Sequence, residues 1–228
     1  MPKVTFKIPS YEEIAITIYY LEKDRKENYR NNIFIELPKE LIDKIIGNEL
    51  KTVKEEIVKN IKEYHNILKL EEVKSEIEKI WQPLNDLFFN NLKKITGFDF
   101  PFDNVIVYIT EIVRGMYTPE NKVFINPIKN RTSYVTAEEI FHLHYWNIFK
   151  KVVKDVEIPW IINKEIWEIS EVIPEFILTD DKFVPFDWGK DLHRNYPFIE
   201  RWKEKLLPVW KSKKNFKEFI INIHKDLV

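Results

Sequence analysis

From Glu49 to Ile95 the apolar residues recur at helical spacing, and this stretch constrains the fold more than any other. Val53, Ile57, Ile61, Tyr64 and Leu68 fall three or four apart on one stripe, and Val73, Ile77, Ile80, Leu84, Leu87 and Leu92 form a second. Pro83 kinks or breaks the run, and Gly97 closes it. A chain that commits so much of its first hundred residues to amphipathic helices must bury those stripes against another layer. A helix-rich α+β protein is therefore expected.

The flanking segments supply the strands. Val4, Phe6 and Ile8 alternate with Thr5 and Lys7, a short half-buried strand. Ser10 and Glu13 have capping-box spacing, which opens a helix to about Tyr20. The charged run Glu22 to Asn32 reads as a solvated helix end or loop, and Ile33 to Leu37 as extended chain. Pro38 suits the first turn of a short helix that Gly47 stops. After Gly97 the character changes. Val105 to Thr110 and Lys122 to Asn126 read as strands separated by the turn residues Gly115, Pro119 and Asn121, a hairpin or meander. A helix then starts at Ser133 or Thr136 and runs to about Val153. Asn163 caps another through Leu178, kinked at Pro174, and two more helices follow, Tyr196 to Leu207 and Lys214 to Lys225, linked through Pro208. The expected organisation is a mostly helical part with a short strand at 1–97 and a second region at 98–228, either separate or one compact unit with the first.

Composition narrows the partners. Lys+Arg 36 against Asp+Glu 37 leaves a net charge of −1, with no electrostatic footprint for nucleic acid. No apolar run reaches the ~18 residues of a membrane span, and the first residues lack the apolar core of a signal peptide. A cytoplasmic protein without nucleic-acid or membrane partners is expected. Cysteine is absent, so disulfides and thiolate zinc sites are excluded, and any metal must take imidazole or oxygen ligands. Abundant Lys, Glu and Ile with 4 Gly resemble the composition of heat-adapted intracellular proteins.

The chemistry concentrates in residues 136 to 146, Thr-Ala-Glu-Glu-Ile-Phe-His-Leu-His-Tyr-Trp. On a helix Glu138 and His142 stack one turn apart, with Glu139 about a quarter turn round. This is the spacing of H-E-x-x-H, in which two His hold a metal and the Glu activates water, except that Glu138 stands at the first His. The plainer reading makes Thr136 and Glu139 a capping box and leaves Glu138 to the helix dipole. Further on, Glu168, Glu171 and Glu175 fall three and four apart among apolar neighbours; for Glu168 and Glu175 a solvated helix face is expected. Glu139 to His142 is also an E-x-x-H, as in di-iron helical bundles with Glu168 and Glu171 as further carboxylates, but the chain has no second copy. His144 points away from His142, and His65 reads as a helix-face histidine. Trp146, Trp160, Trp167, Trp188, Trp202 and Trp210 are spaced more like core residues than a ligand cage.

Three pieces, in order, resemble gluzincin-type zinc metallopeptidases such as thermolysin and the aminopeptidase-type enzymes. Val-Ile-Val-Tyr-Ile-Thr through Lys-Val-Phe-Ile-Asn-Pro is similar to their cleft-edge strands, Ala-Glu-Glu-Ile-Phe-His-Leu-His-Tyr to their motif helix, and Ile-Ser-Glu-Val-Ile-Pro-Glu-Phe-Ile to the helix that gives the third ligand. The resemblance implies a zincin-like strand pair or small mixed sheet beside an active-site helix, with extra N-terminal helices. It implies zinc held by Glu138, His142 and Glu171, Glu139 as general base, His193 and Tyr196 as candidates for stabilising the oxyanion, and a peptide or protein as substrate or ligand. Two anionic ligands weaken the pull of zinc on its bound water. The resemblance thus leads either to slow zinc-dependent hydrolysis or to a degenerate, inactive relative, with a non-catalytic peptide-binding pseudo-peptidase as the alternative.

Overall fold

The computed structural model describes residues 1–23, 33–64, 67–113, 117–118, 122–126, 132–153, 163–186 and 196–227. They form two compact units interleaved in sequence, one of residues 1–3, 81–105 and 140–228, the other of residues 4–80 and 106–139. The protein is helix-rich α+β, with a small sheet, as the long helical run demands.

The unit of residues 4–80 and 106–139 carries most of the sheet. Strand β1 is Lys3–Lys7, β2 is Asn104–Ile109, β3 is Tyr117–Thr118 and β4 is Lys122–Ile125, in the order β1-β2-β4-β3. The expected hairpin between the two longer strands is corrected here. Strand β2 runs parallel to β4, with Val107 opposite Val123 and Ile109 opposite Ile125, and the short β3 takes the antiparallel place beside β4. The physical reason is in the strands themselves. Val105, Val107, Tyr108 and Ile109 are all buried, as are Val123, Phe124 and Ile125. Near-continuous apolar runs of this kind suit parallel strands buried on both faces better than a half-exposed hairpin.

Helix α1 (Tyr11–Lys23) opens with the capping box that its sequence announces. The Ser10 N–H donates to Glu13 Oε2 at 2.8 Å, and the Glu13 N–H donates to Ser10 Oγ at 3.2 Å. The Tyr108 hydroxyl also donates to Glu13, tying α1 to β2. Burial alone would raise the Glu13 carboxyl, but these hydrogen bonds outweigh it and hold the group below its usual range. Helices α2 (Lys39–Gly47) and α3 (Leu50–Ile61) pack on α1, so that Ile14, Ile18, Leu41, Ile45, Val53 and Ile57 share one core with Tyr108 and Phe124.

The helical run itself divides. Helix α4 (Ile67–Trp81) ends in a 3-10 turn at Gln82–Leu84, and α5 (Asn85–Thr96) restarts beyond it. Because Pro83 cannot donate into a continuous helix, the turn resets the helical phase. The second expected stripe is therefore corrected: Ile80 and Leu87 are exposed, while Leu70, Ile77, Trp81, Phe88, Phe89 and Leu92 are buried. Tyr64, on the first stripe, is exposed as well.

Gly97 ends α5 in the left-handed region at φ 75°, its N–H donating to the Lys93 carbonyl at 2.8 Å. A Cβ there would meet nothing within 4 Å, so replacing it strains only the backbone. Gly97→Ala is expected to cost about 1 kcal/mol, a fall in Tm of roughly 2–4 °C. Gly47 has equal space around it and no positive φ. Thermal melts should therefore leave Gly47→Ala unchanged or slightly stabilised.

The unit of residues 1–3, 81–105 and 140–228 holds α5, the C-terminal part of α6 (Thr132–Val152), α7 (Lys164–Leu178), α8 (Ile199–Ser212) and α9 (Phe216–His224). The Asn163 side chain caps α7 by accepting from the Glu165 N–H at 2.7 Å. Pro208 lies inside α8 and does not link two helices, a correction to the expected boundary. Aromatic side chains fill this core, with Tyr145, Trp146 and Phe149 of α6 in contact with one another and Phe183 and Phe186 against Phe88.

Candidate functional site on the motif helices

Helix α6 starts at Thr132, earlier than a Thr136 cap allows. Thr136 is inside the helix, its hydroxyl donating to the Thr132 carbonyl at 2.8 Å. The capping-box reading of Thr136 and Glu139 is thereby corrected. Every residue from Tyr134 to Trp146 is buried. A helix buried all round is not an amphipathic surface one. Glu138, Glu139 and His142 are 2%, 1% and 1% exposed. Ionisable side chains are almost never buried this deeply without partners.

On α7, Glu171 turns its carboxylate toward the motif helix, and its Oε1 lies 3.8 Å from His142 Nε2. The two form an ion pair whenever the imidazole is protonated. The structure thus brings together two side chains about thirty residues apart in sequence that the resemblance names as ligands. The solvated-face reading of the other two glutamates is corrected, since Glu168 and Glu175 are as buried as Glu171. Helix α8 makes this possible. Arg201 and the Trp202 indole N–H both donate to Glu168, the indole at 2.7 Å, and Lys203 pairs with Glu175. The ammonium of Lys164 lies 3.9 Å from Glu168.

A tetrahedral zinc ion with bonds of ~2.1 Å sets its donor atoms about 3.4 Å apart. His142 and Glu171 come near that separation. Among the described residues, however, no three His, Asp or Glu side chains are grouped to hold a metal ion together. The residues as arranged do not fit the three-ligand zinc site that the resemblance implies. Nor do they fit a di-iron site, since the Glu168 carboxylate already accepts from Arg201 and Trp202.

His193 lies outside the described residues. Tyr196 is half-buried, with its ring stacked on Phe198 and edge-on to Trp167 near the start of α7. Trp146 and Trp202 are buried core residues, as their spacing suggested.

Two further histidines belong to the same unit. His144 stacks on Phe100, and its Nε2 lies 2.9 Å from Thr96 Oγ1. The Thr96 hydroxyl donates to the Leu92 carbonyl at 2.7 Å, so it accepts from His144, which fixes the Nε2–H tautomer. Burial, reinforced by Lys151 and partly opposed by Asp99, lowers this imidazole to about 3. His224, the last residue of α9, meets the Tyr145 hydroxyl of α6 at 2.7 Å, and burial lowers it to about 3 as well. Sequence reasoning passed over His224. Its signal was the stripe Phe216, Ile220, His224, which puts a histidine in line with core residues.

No helix among the described residues is long and apolar enough to cross a membrane. No family model matches the chain, and no solved structure matches it. The chain is similar to Protein TIC 214 of Chaetosphaeridium globosum, with 27% identity over 188 residues. That alignment covers 72% of this chain and 13% of the length of the relative.

Proposed function

We propose that this chain is a metallopeptidase-like protein of gluzincin type in its degenerate form. Its motif helix is kept as a buried electrostatic element, and its ligand class is a peptide or protein segment. The observation that carries the reading is the approach of His142 to Glu171, the histidine and third-ligand glutamate of the resembled site, brought together from separate helices. The substitution at Glu138 and the absence of a three-donor grouping among the described residues favour the degenerate form over an active enzyme. A cytoplasmic location belongs to the same proposal.

What this chain's residues do in such a protein follows from their burial. Glu139 is a fully buried carboxylate with no capping role, so it acts on the interior of the protein. His142 gives Glu171 a partner that can carry positive charge, which a carboxylate at that depth needs.

The test combines metal analysis of the purified protein with a peptide-cleavage assay, run on wild type and on Glu139→Gln. The expected result is substoichiometric zinc, and no cleavage by either protein with or without added zinc. Zinc near one per chain, with cleavage that Glu139→Gln abolishes, would replace this reading with an active zinc peptidase.

A further inference from the structure

Helix α7 carries the glutamate to which the resemblance gives a metal-ligand role, and this chain places cations of its own at that helix. We propose that Lys203, assisted by Arg201, is the built-in counter-ion of α7, so that α8 supplies the positive charge that a bound divalent cation would otherwise bring. The inference rests on the degenerate reading above.

Glu168, Glu171 and Glu175 occupy one face of α7 and are all buried. Three carboxylates removed from water on one helix face repel one another and have lost their hydration, a large cost unless each is compensated. Helix α8 compensates two of them from positions two residues apart. The Lys203 side chain is 22% exposed and its ammonium sits on Glu175, while the Arg201 guanidinium sits on Glu168. The Trp202 indole between them in sequence donates to Glu168 as well, so three consecutive residues of α8 serve the acidic face. Glu171, the middle carboxylate, faces His142 of α6.

The two pairs are not equal. Arg201 is 53% exposed, so water screens it and its pair contributes less. Lys203 is withdrawn from water and also reaches Glu200 at 3.6 Å, a solvent-exposed residue that costs nothing to leave. The stronger coupling is therefore Lys203 to Glu175. Lys205 provides an internal control. It lies on the same helix, but its ammonium is placed over the Trp202 ring, 4.8 Å from the centroid.

The experiment is a double-mutant cycle on the full chain, read by thermal melts with and without zinc chloride. Lys203→Met leaves a buried carboxylate without its cation, and its Tm is expected to fall on the order of 10 °C. Glu175→Gln in the Lys203→Met background should recover most of that loss, because no buried charge is left to compensate. Lys205→Met should shift Tm by no more than a few degrees. Zinc should raise the Tm of Lys203→Met more than that of wild type, since the ion then meets a buried carboxylate that has lost the Lys203 ammonium. A loss at Lys203 that Glu175→Gln does not recover, or zinc responses equal in wild type and Lys203→Met, overturns the counter-ion role. Neither outcome bears on hydrolysis, so the pseudo-peptidase reading stands or falls separately, on the cleavage assay.

Discussion

Folding stability is expected to fall steeply as the pH drops below 6.5, and His224 and His144 are the cause. Both imidazoles are held near 3 in the folded protein, chiefly by burial, against about 6.5 when unfolded. A histidine depressed in this way is neutral when folded, so its contribution is intact above the unfolded value. Below about 6.5 the unfolded chain takes up a proton that the folded chain refuses. Stability then declines by roughly 1.4 kcal/mol per pH unit for each such histidine until the folded value is reached. At pH 4 the loss per histidine amounts to roughly 3 kcal/mol. Neither ring offers a buried charge any relief: Nδ1 of His144 and Nδ1 of His224 have no hydrogen-bond partner among the described residues. Glu13 and Asp180, whose carboxyls are held low in the folded protein, act in the same direction, but only within and below the carboxylate range. His224→Gln keeps a side chain that can bond to the Tyr145 hydroxyl and cannot titrate. Denaturant melts at pH 7 and pH 4 should show a smaller difference for His224→Gln than for wild type, by roughly 3 kcal/mol. An undiminished difference would mean that His224 is not the group taking up the proton.

The second large effect concerns Glu138. It is buried on α6 one turn before His142, at the place where the resembled enzymes have their first histidine. Glu138→His exchanges an anion for a neutral imidazole, and on the gluzincin proposal the new ring joins His142 and Glu171 in a His, His, Glu donor set, which Glu138 itself does not do among the described residues. On that proposal zinc affinity rises on the order of 100-fold, matching the larger losses seen when one supporting residue of a metal site is removed. Isothermal titration of both proteins measures it directly. Equal affinities in two folded proteins would show that Glu138 is not directed at the place where His142 and Glu171 meet, and the gluzincin resemblance would lose its central residue.

Much of the local structure was legible because it depends on neighbours in the chain. The capping boxes and caps at Ser10, Asn163 and Gly97 involve residues two to four apart, and each appears with the expected hydrogen bonds. The burial of Val53, Ile57 and Ile61 follows from helical spacing alone. Spacing within one helix says nothing about a partner on another, so only the likeness to a known arrangement placed His142 near Glu171, and the ligand roles it gives them are part of the proposal.

What failed depended on distant partners. The parallel pairing of β2 and β4 was missed because the turn residues Gly115, Pro119 and Asn121 suggested a direct hairpin, although the near-continuous apolar runs suit parallel strands; the antiparallel partner of β4 is the short β3. The Thr136 capping box matched its pattern, yet α6 begins earlier because its whole surface around the motif is buried, and packing outweighs a cap worth about 1 kcal/mol. Glu168 and Glu175 look like a solvated face until α8 folds over them with Arg201 and Lys203. Periodicity along the chain determined which residues share a helix face. Only the tertiary structure decided what each face meets, because the cost of burying a carboxylate depends on a cation that the sequence places roughly thirty residues away.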